Sequence, residues 1–259
     1  RVGLGYITVG REAEISALLH DVEIIADGGA SFRFVTGRYG SGKSFLLQTI
    51  RNYVMDRNFV TADADLSPER RLHGTRGQGL ATYKELMCNL STKTRPEGGA
   101  LTLILDRWIN NVRSEAVQDG ADPDGADFDT RVTGKINEVI NSLNDMVHGF
   151  DFARLLTLYY RAFRNGDDEL KAKAVKWFRG EYNTKSQARE ELGINIVITD
   201  DDWYEYIKLF ALFLRKAGYS GLMIFVDELV NIYKIPNSIT RQYNYEKILT
   251  MYNDTLQGK

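Results

Sequence analysis

The residues best suited to chemistry form one short run, Gly37-Arg38-Tyr39-Gly40-Ser41-Gly42-Lys43-Ser44. Their spacing, G-x-x-x-x-G-K-[ST], is that of a phosphate-binding loop. Glycines let the backbone turn through conformations closed to other residues. Successive main-chain N–H groups then face one concavity and wrap a β-phosphate. The helix that follows adds its N-terminal dipole and free N–H groups. On this reading Lys43 reaches the β- and γ-phosphates of ATP, and Ser44 places its hydroxyl on Mg2+. The nest is expected to run from Gly37 through Tyr39, Gly40, Ser41, Gly42, Lys43 and Ser44 to Phe45. The bland alternative is a glycine-rich strand-to-helix turn that holds nothing. The apolar run before the loop and the amphipathic pattern after it argue against that.

A phosphate loop alone does not say whether a nucleotide is cleaved. The stretch "LMIFVDE" (222–228) supplies the other half of a hydrolytic site, an apolar strand followed by two acids, which is the Walker B pattern. Asp227, at the strand's carboxyl end, is expected to hold the magnesium through water. Glu228 is expected to orient or deprotonate the attacking water. Lys43 and Glu228 are therefore the catalytic candidates, and Ser44 and Asp227 the metal candidates. Ligands gather at the carboxyl ends of strands in parallel sheets, which suits this position. Two acids after an apolar strand are common, and they carry weight here because the loop accompanies them.

The long separation between the loop and the Asp-Glu pair favours ATPases of the AAA+ and related classes over simple nucleotide kinases and GTPases. "YITVGREAEI" (6–15) points the same way. A Val-Gly-Arg-Glu motif precedes the first helix in AAA+ proteins of the origin-recognition and signalling kind, with the adenine close by. Val9, Gly10 and Arg11 are the adenine-side candidates, and Tyr6 offers a stacking face. The alternative is a helix N-terminus with an acidic first turn.

These residues need elements to position them. Residues 11–26 place Ile15, Leu18, Leu19, Val22 and Ile25 at helical spacing, and Asp27-Gly28-Gly29 ends that helix. "FRFVT" (32–36) reads as a short buried strand. A helix opening at Gly42 carries Leu46, Ile50, Tyr53 and Val54 inward. "NFVTADAD" (58–65) reads as a second strand ending in acidic and turn residues. Helices are expected near 78–90, 101–117, 131–147, 151–164 and 167–180, with a short strand at 194–199. The stretch 201–219 reads as a helix capped by aspartates. It has Trp203, Ile207, Phe210 and Leu214 on one face and Tyr206, Leu209 and Phe213 on another, a pattern of deep burial. "GLMIFVDE" (221–228) has the unbroken apolar character of a central parallel strand, and 239–257 form a last helix. Strands separated by helices imply a parallel sheet with right-handed crossovers. The expected fold is an α/β P-loop NTPase with an AAA+-like parallel sheet core flanked by helices, spanning 1–259. A large helical insertion, 101–190, is expected between the second strand and the Walker B strand.

Composition sets limits. The chain has 259 residues and a formal net charge of −2, so whole-chain charge does not predict nucleic-acid binding. A single cysteine, Cys88, cannot form an internal disulfide, which fits a reducing compartment. It reads as a small apolar residue on a helix face. No apolar run approaches the roughly 18 residues of a membrane span, and no signal peptide is visible. A cytoplasmic location with no membrane partner is expected. The three scattered histidines argue against a zinc site. The loop "QDGADPDGADFD" (118–129) lacks the EF-hand alternation with glutamate at its twelfth position, which argues against calcium.

Several phrases together resemble one family: "TVGREAEI", "GGASFRFVTGRYGSGKSFLLQTIRN", "ADADLSPERRLHGTRGQGLATYKELMCNLSTKTRPEGGAL", "DDWYEYIKLFALFLRKAGYSGLMIFVDELVNIYKI" and "NYEKILTMYNDTLQGK". They look like the ATP-binding proteins of bacterial BREX phage-defence systems, a P-loop family of AAA+ character. The resemblance covers most of the chain and is weakest across 118–190. It implies ATP binding, with ADP as product, and hydrolysis. It also implies a conformational switch or partner exchange among defence-system proteins acting on DNA, and self-association. It further implies a downstream core strand with a Gly-Gly-Thr-like segment that carries a sensor for the γ-phosphate. That segment, a lid domain and an arginine finger are not found between Arg1 and Lys259. With no methionine at the start, the expectation is a fragment of a longer chain.

Two other readings stay open. One is a nucleotide-regulated binding module for DNA or protein that does not hydrolyse ATP. The other is a small-molecule kinase, which would need an acceptor pocket and lid arginines. The cluster Arg70, Arg71, His73 and Arg76 could touch a partner subunit, the nucleotide or DNA, or be a solvated loop with paired arginines. The aromatic-basic stretches 154–166 and 171–180 read as core faces with charged exteriors rather than as single-strand platforms. Arg38 could approach the γ-phosphate, solvent or a neighbouring subunit.

Overall fold

The computed structural model describes residues 10–257. Helix α1 spans Glu12–Ala26 and α2 spans Lys43–Asp56. The short turn Arg57-Asn58 then leads into strand β1, Phe59–Asp65. The connection to the second strand carries α3 (Gln78–Cys88), α4 (Leu101–Gln118), α5 (Phe128–Asn141), α6 (Gly149–Asn165), α7 (Asp168–Phe178), α8 (Lys185–Leu192) and α9 (Trp203–Lys216). Strand β2 (Gly221–Asp227), α10 (Val230–Tyr233) and α11 (Ser238–Leu256) complete an α/β arrangement around a two-stranded parallel sheet.

The strands pair from Phe59↔Gly221 to Asp65↔Asp227. Strand alternation sends successive side chains to opposite faces. Phe59, Met223 and Phe225 pack with Ile15 and Val22 of α1 and with Leu46, Ile50 and Val54 of α2. Val60, Ala62, Ala64, Leu222, Ile224 and Val226 join the larger core beneath α3–α9. The sheet is thus the middle of three layers. The apolar faces expected for α1, α2 and α9 are the ones that pack, and Trp203, Tyr206, Leu209, Phe210, Phe213 and Leu214 are buried. The aromatics of 154–166 and 171–180 likewise face the core, with Tyr159, Trp177 and Phe178 buried and Arg154, Arg161 and Arg164 exposed.

The amino end of the sheet is fixed by Asn58. Its left-handed backbone (φ 65°) makes the turn, its side-chain amide donates to Gly218 O (2.9 Å), and its carbonyl accepts from Ser220 N–H (3.0 Å). Asparagine enters that conformation more readily than other non-glycine residues. Nearby, Arg215 Nη1 donates to Ile25 O and Ala26 O (2.7 Å each) and to Ser220 O (3.1 Å), tying α1 to α9. Arg215→Ala is expected to cost about 2 kcal/mol, since hydrogen bonds to charged groups contribute about 1.5–3 kcal/mol. It should appear as a lower urea midpoint at unchanged slope.

Several expectations need correction. Residues 32–36 do not form a strand. A strand exists only where a neighbour supplies ladder partners, and this segment is held by a side chain instead. Arg33 forms a two-pronged ion pair with buried Asp21 of α1 (Nε–Oδ2 2.5 Å, Nη2–Oδ1 3.2 Å). Residues 31–35 and 222–226 wall a shared cavity of about 310 Å³. Among the described residues β2 is therefore paired on one side only, and it is half-buried rather than a fully covered central strand.

Residues 194–199 are not a strand either. Ile194, Val197 and Ile198 are buried as an irregular plug, and Ile196 O accepts from Trp177 Nε1 (2.8 Å). Helix α5 stops at Asn141, and turns carry the chain to α6. Helix α8 is missed by the periodicity. Asp202 does not cap α9 with its side chain, because Oδ1 accepts from Thr199 N–H (2.7 Å) and Oγ1 (3.0 Å). Cys88 ends α3 and is exposed rather than packed.

Candidate functional site

The loop from Gly37 to Gly42 is a tight turn. Ser41 N–H donates to Arg38 O (3.1 Å), and Gly40 and Gly42 take left-handed φ values of 76° and 78°. A Cβ at Gly37 would stand 2.6 Å from Ser41 Oγ, so a side chain there would have to displace that hydroxyl. Lys43 curls back over the loop, and its Nζ donates to Gly37 O (2.9 Å) and Arg38 O (3.0 Å). The first helical bond of α2 runs from Leu46 N–H to Gly42 O (3.0 Å). The main-chain N–H groups of Tyr39, Gly40, Gly42, Lys43, Ser44 and Phe45 have no acceptor among the described residues. A run of amides without acceptors at a helix start is the physical form of an anion nest.

Tyr39, Ser44 and Phe45 are exposed, so the nest opens to solvent. Arg11 Nη1 donates to Gly42 O (3.4 Å), which brings one adenine-side candidate onto the loop itself. Gly10 sits at the start of α1, its N–H on Glu12 Oε1 (3.4 Å). Val9 and Tyr6 lie outside the described residues.

Topology brings the loop and the Asp-Glu pair, the two halves of the candidate site, to one end of the sheet. The 14 residues of α2 span about 21 Å and the 7 residues of β1 about 23 Å, and the short turn between them makes helix and strand antiparallel. The amino end of α2 therefore lies at the carboxyl end of the sheet. Arg51 holds α2 in place, donating to Asp63 Oδ2 (3.1 Å), Ser91 Oγ (2.9 Å) and Pro96 O (2.9 Å). Burial holds the Asp63 carboxyl above the ordinary carboxylate range, and the Arg51 guanidinium opposes this only in part. Parity decides the face. Met223 and Phe225 pack toward α1 and α2, and position 227 shares their side of the strand.

Asp227 Oδ1 accepts from Glu228 N–H (2.7 Å), and its backbone carbonyl accepts from Leu66 N–H (3.1 Å). Glu228 has φ 60°, a conformation that costs a non-glycine residue of order 1–2 kcal/mol. Asp65, the register partner of Asp227, ends β1 beside it and is exposed. Among the described residues no group of three or more His, Cys, Asp or Glu is gathered as for an all-protein metal site. A phosphate-bound Mg2+ takes one or two protein ligands, with waters and phosphate oxygens completing its shell. The Ser44 hydroxyl and the Asp227 carboxylate, with Oδ1 turned to a backbone donor, fit that donor set.

The basic segment follows β1 and lies at the same end of the sheet. Arg70 Nε donates to Asp65 O (2.8 Å), the His73 ring lies 5.0 Å from that of Tyr243, and Arg76 is exposed. Two distant residues clamp this loop. Asn244 of α11, fully buried, accepts from Leu72 N–H (3.0 Å) and His73 N–H (2.9 Å) and donates to His73 O (3.1 Å). Asp200 accepts from Gly77 N–H (2.6 Å) and Leu80 N–H (2.8 Å). Asn244→Ala strands buried backbone groups, each costing about 1–3 kcal/mol when unpaired. A loss of roughly 2–3 kcal/mol in urea unfolding is expected, with earlier proteolysis between residues 67 and 77.

Sequence reasoning missed Asn244, Asp200 and also Asn231 of α10, whose Nδ2 donates to Leu66 O (2.7 Å). They act through hydrogen bonds to segments remote in the chain, and no local pattern marks them.

Residues 1–259 match the protein family described as BREX system ATP-binding protein BrxC/D. No curated protein and no solved structure matches the chain. Among the described residues no helix is long and apolar enough to cross a membrane. With the match extending over its whole length, the chain belongs to the BREX system ATP-binding protein family BrxC/D.

Proposed function

We propose that this chain is the AAA+-like P-loop core of a magnesium-dependent ATPase, in which residues 101–190 form a helical insertion. We further propose that its ATP cycle switches the conformation of a cytoplasmic phage-defence complex acting on DNA. One observation carries this reading. The amides from Tyr39 to Phe45 that lack acceptors open at the end of the sheet where β2 delivers Asp227, on the face that α2 covers.

The amides of the loop and Lys43 bind the β- and γ-phosphates, with phosphate oxygens replacing Gly37 O and Arg38 O as acceptors for Nζ. Ser44 and Asp227 would hold Mg2+, which when bound would offset charge developing on the phosphate oxygens. Glu228 accepts a proton from water as its oxygen bonds to the γ-phosphorus, and the bond to the β–γ bridging oxygen breaks to release ADP. Arg11 adds positive charge beside the loop. The loop 67–77, with Arg76 exposed on it, is the surface on which DNA or a partner protein would sense the site.

The test is phosphate release from ATP by the intact protein with and without duplex DNA. Release is expected to require Mg2+ and to stop on addition of EDTA. Tight retention of ATP with no release would select the non-hydrolysing binding module instead. Transfer of phosphate to a metabolite would select the kinase.

A further inference from the structure

We infer that Asn231 is the positioning residue for Glu228, holding its carboxylate at the attack site by locking the turn that follows β2 onto the end of β1. The inference rests on the hydrolytic reading above.

Glu228 stands in left-handed backbone space with φ 60°. Such a conformation persists in a non-glycine residue only where its surroundings over-determine it, and such residues concentrate at functional sites. Four hydrogen bonds supply that constraint, one of them made by the Asn231 side chain. Asn231 N–H donates to Glu228 O (2.9 Å), closing the turn 228–231. Asn231 Nδ2 donates to Leu66 O (2.7 Å). Leu66 N–H donates to Asp227 O (3.1 Å). Glu228 N–H donates to Asp227 Oδ1 (2.7 Å).

The peptide of Leu66 is thus gripped on both sides, its N–H by β2 and its C=O by Asn231. Removing the amide of Asn231 frees the Leu66 carbonyl and lets residues 228–231 swing away from β1, with Glu228 relaxing toward negative φ. The phosphate loop precedes α2, Lys43 opens that helix, and neither shares any of these bonds. The effect is therefore predicted on the chemical step and not on nucleotide capture. A small displacement of a general base is enough for a large rate effect, because proton transfer needs hydrogen-bond reach to the attacking water.

The experiment compares Asn231→Ala, Asn231→Asp and Glu228→Gln in the intact protein, measuring kcat, KM and ATP affinity. Asn231→Asp keeps the volume and replaces the N–H donor with a charged acceptor that repels the Leu66 carbonyl, so it breaks the same hydrogen bond and decides the matter if the alanine variant does not fold. The expected result is a kcat at least ten-fold lower in both Asn231 variants, with KM and ATP affinity within about two-fold of the original. Wild-type kcat in Asn231→Asp, alongside an inactive Glu228→Gln, overturns the role of Asn231 and leaves the hydrolytic reading standing. An equal fall in kcat and ATP affinity shows a general structural role and also overturns it. Full turnover in Glu228→Gln removes the hydrolytic reading itself.

Discussion

Glu228→Gln in the intact protein retains ATP and barely turns it over. The amide has the size of the carboxylate and cannot take a proton from the attacking water. General-base catalysis contributes about 10²–10⁴-fold, and a loss of that order is expected in steady-state phosphate release. Nucleotide affinity should stay within about two-fold, because the side chain at the end of β2 is not part of the loop that binds phosphate. Filter retention of labelled ATP then shows trapped nucleotide where the unmodified protein shows ADP. Turnover at the original rate would remove Glu228 from the mechanism and leave Asp227 as the only acid required.

The second large effect concerns capture. Lys43 Nζ already sits among loop oxygens, on Gly37 O and Arg38 O, so its charge is in place for phosphate. At ATP concentrations about 100 times the dissociation constant, binding stabilises a protein by about 2.7 kcal/mol. For a chain of this size that raises the melting temperature by roughly 5–10 °C. Lys43→Ala is expected to abolish this ATP-dependent rise while leaving the melting temperature without nucleotide nearly unchanged, since the ammonium makes only exposed hydrogen bonds to loop carbonyls. A persistent ATP-dependent rise in the variant would place the nucleotide elsewhere.

Both predictions rest on residues that the sequence reveals, and the reason is locality. The phosphate loop is eight consecutive residues whose glycines, lysine and serine each have a chemical reason to be there. The Asp-Glu pair closes an apolar run that could hardly be anything but a strand. The helices α1 and α2 follow from periodicity because each has one core to face, and α9 follows because apolar residues on two of its faces mark deep burial.

What stayed hidden depends on contacts distant in the chain. Whether "FRFVT" becomes a strand turns on a ladder partner, and the apolar run says nothing of Arg33 reaching Asp21. Asn231 and Asn244 look like neutral helix residues, yet their partners are Leu66, Leu72 and His73. Helix α8 did carry a local signal. Thr184 followed three residues later by Gln187 is the spacing of a capping box, and Thr184 Oγ1 indeed accepts from Gln187 N–H (3.2 Å). Its polar surface hid it from a search for apolar periodicity. Helix α11 forms where its pattern placed it, but burial along it does not follow the apolar residues: Asn244 is buried while Tyr245, Leu249 and Leu256 are exposed.

The most direct measurement is a crystal structure of the protein with Mg2+ and a non-hydrolysable ATP analogue. The account predicts β- and γ-phosphate oxygens within hydrogen-bond reach of the amides between Tyr39 and Phe45, Lys43 Nζ transferred from Gly37 O to those oxygens, and the Asp227 carboxylate beside the cation or one of its waters. A triphosphate bound away from that loop, or Asp227 turned from a cation that the loop's nucleotide holds, would contradict it.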